Sequence, residues 1–124
     1  SAKVWLYFFT HSFDLAPILG KLIPSIEGIG VAHGTELIVV FDTRVITGEF
    51  KAERALADAV GGYWLRFAAS GDPGGAEPDV VAWPEYKESS DLHLRLDVGA
   101  NLKVGKGLKK VVCDFWRESA TPRQ

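Results

Sequence analysis

The sequence has a single cysteine, Cys113, no methionine, and no apolar run near the roughly 20 residues that a membrane-spanning helix needs. One cysteine cannot form an internal disulfide, and the three histidines lack the spacing of a zinc site. The net charge is only −2, and the basic residues form no stripe. We therefore expect no metal or other cofactor, no nucleic-acid partner and no membrane span. With 47% hydrophobic and 24% charged residues, the 124-residue chain is predicted to be globular.

The segment Val4–Thr10 is continuously apolar and rich in aromatic residues. This pattern is typical of a strand that is buried on both faces of a mainly parallel sheet. Such a strand needs neighbours on both edges, and the sequence offers few. We therefore expect residues 1–118 to be an incomplete part of a larger domain, followed by a polar tail at 119–124. The chain alone is expected to be poorly soluble, since this strand and the Tyr63–Phe67 face lack partners.

Three further segments have periodic patterns. Apolar residues at helical spacing over Phe50–Ser70 predict a long amphipathic helix, with Thr47 as its N-cap and Gly71 at its end. Leucines alternate with polar residues over Asp91–Val98, which predicts a half-buried edge or hairpin strand. A shorter helix is predicted over Leu108–Glu118, also with an apolar face.

Three histidines are candidates for chemistry. His93 falls on the polar side of the alternating strand, so we expect it to be solvated. His11 directly follows the buried strand, where a capping or hydrogen-bonding role is more usual than catalysis. His33 lies in the glycine-rich segment Gly30–Leu37, which suits a loop at the carboxyl edge of a sheet, where α/β proteins place their sites. From this pattern alone, a structural role for His33 stays the commoner interpretation.

The residues around His33 resemble a known motif. Ala32–Leu37, followed by Val40 and Phe41, is similar to the catalytic-histidine motif of type-B carboxylesterases and cholinesterases, which are α/β-hydrolases. The likeness continues in the family's order from about residue 4 to residue 117. It includes Val4–Phe9, Trp64, Phe67 and Ala68, Gly71–Pro73, Trp83 and Pro84, Leu92–Asp97 and Cys113–Trp116.

This resemblance implies an α/β fold, specifically the C-terminal part of an α/β-hydrolase. Its parts would be a buried strand, a catalytic-histidine loop, a long amphipathic helix, a closing strand and a C-terminal helix. The resemblance also implies a short helix over Gly34–Phe41, which composition alone favours as a strand because of its β-branched residues. In secreted members of the family, the position of Cys113 is paired with a cysteine before the buried strand. A buried free thiol is the slightly favoured alternative here.

The resemblance further implies a serine carboxylic-ester hydrolase with a Ser-His-acid triad. His33 would be the general base, with Gly34 and Glu36 as active-site support. In α/β-hydrolases the histidine comes last in the chain, and no Gly-x-Ser-x-Gly occurs here. The serine, the acid and the oxyanion hole are therefore expected upstream. The expected partners are a small-molecule carboxylic ester and the remaining N-terminal part of the hydrolase, in the same gene product or as a separate chain.

Other interpretations are weighed against this one. Glu36 follows His33 by three residues and could be taken as the triad acid, but the family's acid comes from an earlier loop. A non-catalytic, cholinesterase-like binding or adhesion domain is the main alternative, because some such domains lack the nucleophile. An independent small α+β domain is disfavoured by the unpaired strand at Val4–Thr10. Without the upstream residues, the chain by itself is expected to be inactive.

Overall fold

The computed structural model describes residues 2–14, 30–43, 51–74 and 80–120. The predicted N-cap Thr47 and part of the loop after His11 lie outside these residues. The described elements, in chain order, are β1 (Tyr7–Phe9), α1 (Leu37–Val40), α2 (Lys51–Ser70), β2 (Leu92–Leu96), a 3₁₀ turn (Gly99–Asn101), β3 (Lys103–Lys106) and α3 (Lys110–Ala120). None of the described helices is long and apolar enough to cross a membrane.

The described strands form one mixed sheet in the order β1-β2-β3. β1 pairs with β2 in parallel, with Tyr7 opposite Leu94 and Phe9 opposite Leu96. β2 and β3 form an antiparallel hairpin. The hairpin prediction for β2 is therefore confirmed, but the edge prediction is wrong, because β2 is the central strand of the described sheet. β3 was not predicted, since Lys103–Lys106 contains a single apolar side chain.

The strand β1 has more partners than its sequence suggested. Besides the pairing of β1 with β2, the residues just before β1 accept two hydrogen bonds from the segment before β2. The Trp83 indole N–H donates to the Leu6 carbonyl at 3.1 Å, and the Tyr86 backbone N–H donates to the Val4 carbonyl at 2.8 Å. The segment therefore has partners within the chain, but β1 lies at the edge of the described sheet and has a neighbouring strand on one side.

Helix α2 packs on one face of the sheet and contributes more buried residues to the core than any other described element. Leu56, Ala57, Val60 and Tyr63 are buried on α2, and they pack with Phe9, Trp83, Leu94 and Leu96. Aromatic rings meet edge to face across this interface, with centroids 5.6 Å apart for Trp5 and Phe67 and 5.5 Å apart for Tyr7 and Trp64. The predicted helix is confirmed from Lys51 to Ser70. Its aromatic face was expected to lack partners, but it contacts Tyr7 of β1 and Trp5 just before β1.

His93 is buried rather than solvated, with 6% of its surface exposed. It lies opposite Gly105 in the β2–β3 register. A Cβ atom at Gly105 would come within 2.5 Å of the His93 Nε2 atom, so the missing side chain is what makes room for the imidazole. The prediction from alternation failed because the His93 ring packs over Gly105 of β3, a strand that was not predicted.

Helix α3 differs from its prediction in two respects. It begins at Lys110 rather than at Leu108, because Lys109 has a φ of +54°, which is incompatible with a helix. It ends at Ala120, so the expected polar tail starts within the helix. Its apolar side chains are exposed, including Val111 at 84% and Trp116 at 65%. Cys113 is exposed rather than buried, and its pairing state stays a prediction.

Candidate functional site

His33 is presented on a tight turn that leads into α1. Residues 33–36 form turns, and Gly34 has a φ of +81°, in the left-handed region where a glycine costs little. The Thr35 hydroxyl donates to the Ala32 carbonyl at 2.8 Å, and the Leu37 N–H donates to the Gly34 carbonyl at 3.2 Å. These bonds close the turn around His33, whose side chain is exposed. The structure thus gives Gly34 a definite backbone role in shaping the turn.

The turn is anchored by the short helix that follows it. Helix α1 packs on α2, and Val39 is fully buried between them. The Val40 N–H donates to the Glu36 carbonyl at 3.0 Å, and the Phe41 N–H donates to the Leu37 carbonyl at 3.0 Å. The conflict between composition and resemblance over this segment is therefore resolved in favour of a helix. Tertiary packing of the valines overrides their preference for strands.

Glu36 lies at the junction between this turn and the sheet. Glu36 is half-buried, and its charge interacts electrostatically with Tyr7 of β1. Burial raises the pKa of Tyr7 above its ordinary value, and the Glu36 carboxylate raises it further. A supporting role for Glu36 stays a prediction, and this proximity to β1 gives it a physical basis.

A second histidine, His11, lies in a buried cluster of charged groups at the carboxyl edge of the sheet. His11 is 7% exposed. Its Nδ1 atom is 3.5 Å from Asp97 Oδ1, and its Nε2 atom is 3.2 Å from Glu53 Oε1 in the first turn of α2. The Nε2 contact has ion-pair distance without hydrogen-bond alignment. The ring is held in addition by Phe13, whose centroid is 4.7 Å away.

Asp97 is the most strongly bonded residue of this cluster. Its Oδ2 atom accepts hydrogen bonds from the Thr10 hydroxyl and the Arg95 guanidinium, each at 2.8 Å. Its Oδ1 atom accepts one from the Val98 N–H at 2.8 Å. Burial by itself raises the pKa of Asp97, but these hydrogen bonds and the Arg95 charge together outweigh it and lower the pKa below its ordinary value. Asp97 is therefore a fixed, ionised carboxylate.

The two histidines are suited to different tasks. Both ring nitrogens of His11 lie against carboxylates in a buried site, which leaves no room for a nucleophile. Among the described residues, the His33 side chain has no hydrogen-bond or ion-pair partner, and it is open to solvent. The capping or bonding role expected for His11 fits its position. Only His33 is available to groups outside the described part of the chain.

The cavity with the most aromatic lining lies elsewhere. A groove of about 350 Å³ opens between β1 and α2, where its walls include Trp5, Trp64, Phe67 and Trp83. His33 does not line this groove. A proton transfer at His33 would therefore take place outside it, and we place the candidate site at the His33 turn.

Comparison with known proteins identifies the family. A model of the carboxylesterase family matches residues 1–116. The chain belongs to the carboxylesterase family. Carboxylesterase 5A of Felis catus is 33% identical over 98% of this chain, and acetylcholinesterase of Gallus gallus is 33% identical over 92%. The medium-chain fatty acyl-CoA hydrolase precursor of Anas platyrhynchos is 30% identical over 93%.

Membership of the carboxylesterase family confirms the resemblance seen around His33 and the α/β-hydrolase fold that it implied. The mixed sheet and α2 are part of that fold. The matches cover 22%, 14% and 19% of the lengths of the three relatives, so the chain spans about a fifth of such a protein. The relatives are ester hydrolases in general, and their names indicate different substrates.

The sequence missed the cluster formed by Thr10, His11, Glu53, Arg95 and Asp97. Thr10 and Asp97 are 87 positions apart, so no local pattern could join them. The one available signal was that a charged or polar residue directly follows each of the two parallel strands, since parallel strands end at the same edge of a sheet.

Proposed function

We propose that the protein is a serine carboxylic-ester hydrolase in which His33 is the general base of a Ser-His-acid triad. The observation that carries this proposal is the exposed His33 on its glycine-shaped turn, within a chain of the carboxylesterase family. The intact motif around His33 favours hydrolysis over a non-catalytic adhesion domain. The substrate class is a small-molecule carboxylic ester.

In the proposed reaction, the imidazole of His33 takes the proton of a serine hydroxyl as its oxygen attacks the ester carbonyl. His33 then gives this proton to the departing alcohol, which leaves an acyl-enzyme. A water molecule is deprotonated in the same way, attacks the acyl group and releases the acid. A carboxylate on the other ring nitrogen would set the tautomer and stabilise the imidazolium.

The serine and the acid have to come from another part of the hydrolase. The 124 residues contain no Gly-x-Ser-x-Gly, and the chain spans about a fifth of its relatives. We infer that the exposed ring of His33 meets these groups in the complete protein. The 124-residue chain alone is then expected to hydrolyse no ester and to react with no fluorophosphonate probe.

The substitution His33→Ala in the complete hydrolase tests the proposal. We expect kcat for p-nitrophenyl butyrate to fall by a factor on the order of 10⁴, since triad members act as a unit. The protein should stay folded because His33 is not part of the hydrophobic core. Val31→Ala, at an exposed position on the same loop, is the matched control and should keep activity within about twofold. Retained turnover in the His33 variant would remove His33 from the mechanism.

A further inference from the structure

The cluster around His11 connects the end of β2 to the first turn of α2. Asp97 directly follows β2, while Glu53 lies in the first turn of α2. The imidazole lies between their carboxylates. His11 therefore bridges the residue that follows β2 and the first turn of α2.

Of the two carboxylates beside His11, Glu53 depends more on the imidazole than Asp97 does. Asp97 already has Arg95 as a cationic partner at 2.8 Å. Among the described residues, the ion pair of Glu53 is with His11, and the Glu53 side chain is only 16% exposed. A carboxylate with so little access to water is costly unless a charge compensates it. The contact lacks hydrogen-bond alignment, so close approach in a buried site, rather than a directional bond, keeps Glu53 beside the imidazole.

A continuous set of contacts leads from this ion pair to His33. Glu53 fixes the start of α2 against the end of β1, where His11 lies. Helix α1 packs on α2 through the buried Val39, and the His33 turn is bonded to the start of α1. If the first turn of α2 moves away from the sheet, α1 and the His33 turn are expected to move with it.

We propose that His11 is a positioning residue, whose imidazole ring bridges Glu53 and Asp97 and thereby holds the His33 turn in place. This proposal rests on the proposed function, because it assigns His11 to the reaction through His33 and not through contact with substrate. A misplacement of a catalytic group by about 1 Å can cost a factor on the order of 10² in rate.

The test compares His11→Gln and Glu53→Gln in the complete hydrolase. Glu53→Gln keeps the size and removes the charge. We expect kcat for p-nitrophenyl butyrate to fall by about 10- to 100-fold in each variant, with KM unchanged within about twofold, as for a misplaced base. The double variant should be no slower than the worse single variant, because both changes break the same contact. Glu88→Gln, at an exposed position before β2, is the matched control and should match the wild type.

A second readout does not depend on catalysis. Amide hydrogen exchange over residues 30–43 should be faster by about tenfold or more in both variants, while exchange over the β2–β3 hairpin stays unchanged. If the wild type hydrolyses no ester, or His33→Ala stays active, the proposed function fails and the exchange result alone decides whether His11 positions this turn. Should His11→Gln fail to fold, Glu53→Gln carries the test. Unchanged exchange over residues 30–43, or kcat within twofold of the wild type in Glu53→Gln, would overturn the proposal.

Discussion

Helices α2 and α3 show the same kind of sequence pattern, and only α2 buries the face that the pattern defines. Val60 and Tyr63 on α2 are fully buried, whereas Val111 and Phe115 on α3 are 84% and 59% exposed. Periodic spacing thus predicted two amphipathic helices, but it did not predict what covers them. The difference comes from the sheet, because β1 and β2 offer α2 an apolar surface that no described element offers to α3.

The expected insolubility of the isolated chain therefore has a different cause from the one inferred from the sequence. β1 and the aromatic face of α2 pack against each other in part, while α3 leaves Val111, Val112, Phe115 and Trp116 exposed. An apolar helix face of this kind is typical of a surface that another protein part covers. In the proposed hydrolase, the upstream part of the protein would supply this cover.

The largest effect is expected for the association state of the isolated chain. We predict that the 124-residue chain self-associates through α3, and that Phe115→Lys combined with Trp116→Lys yields a soluble monomer. Added charge on the exposed face should repel other copies without disturbing the core. Sedimentation velocity at equal concentrations measures the change. A wild-type chain that is already a monomer with a sharp cooperative melt would contradict the prediction.

The next effect comes from one chemical change made on each helix. Val60→Ala should lower the free energy of unfolding by about 2 kcal/mol, because it removes two methyl groups from a filled core. Val111→Ala should be neutral or stabilise by up to about 0.5 kcal/mol, since it removes an exposed side chain and improves helix propensity. Urea unfolding in the soluble background measures both. Equal costs at the two positions would mean that α3 is covered by the chain itself.

The third effect compares alanine substitution at two glycines, one on β3 beside His93 and one in α2. Gly105→Ala should cost about 1–2 kcal/mol, because the new Cβ would overlap the buried His93 ring. Gly61→Ala, in α2, should stabilise the protein by up to about 1 kcal/mol, since a Cβ there meets no described atom within 4 Å. Adding His93→Ala should relieve the Gly105→Ala strain in the same unfolding experiment. Independent, additive costs would show that the two residues do not compete for space.

These comparisons also show how far the sequence could lead. The long helix and strand β2 were predicted because their apolar residues repeat at a regular period, and strand β1 because its segment is continuously apolar. Strand β3 could not be, since Lys103–Lys106 is stabilised by pairing with β2 rather than by its own pattern. The burial of His93 was missed for the same reason, because its ring fills the space beside Gly105 of β3.

The candidate site divides in the same way. The turn at His33 was predicted from its glycines and from the family motif, which are local features. The surroundings of His11 were not, because Glu53 and Asp97 reach it from distant positions in the chain. A sequence pattern indicates which residues can donate or accept a proton, whereas the fold decides which of them have partners.

The smallest effect is a change in pH dependence, and it compares a buried carboxylate with an exposed one. Because hydrogen bonds and Arg95 lower the pKa of Asp97 below its ordinary value of 3.8, folding is favoured by its ionised form. Its contribution to stability is complete above that value and is lost as the pH falls through the lowered pKa. The difference in unfolding free energy between the wild type and Asp97→Asn should therefore be larger at pH 5.5 than at pH 3.

Asp114 on α3 is the matched control for this measurement. It pairs with Lys110 and Arg117, but its side chain is 35% exposed, and exposed ion pairs contribute about 0–1 kcal/mol. Asp114→Asn should therefore leave the unfolding free energy close to that of the wild type at both pH values. The physical reason is that Asp114 is partly accessible to water, whereas the carboxylate of Asp97 is bonded by Thr10, Arg95 and the Val98 N–H instead of by water. An Asp97→Asn difference that stays constant between pH 5.5 and pH 3 would show that those bonds do not favour the ionised form.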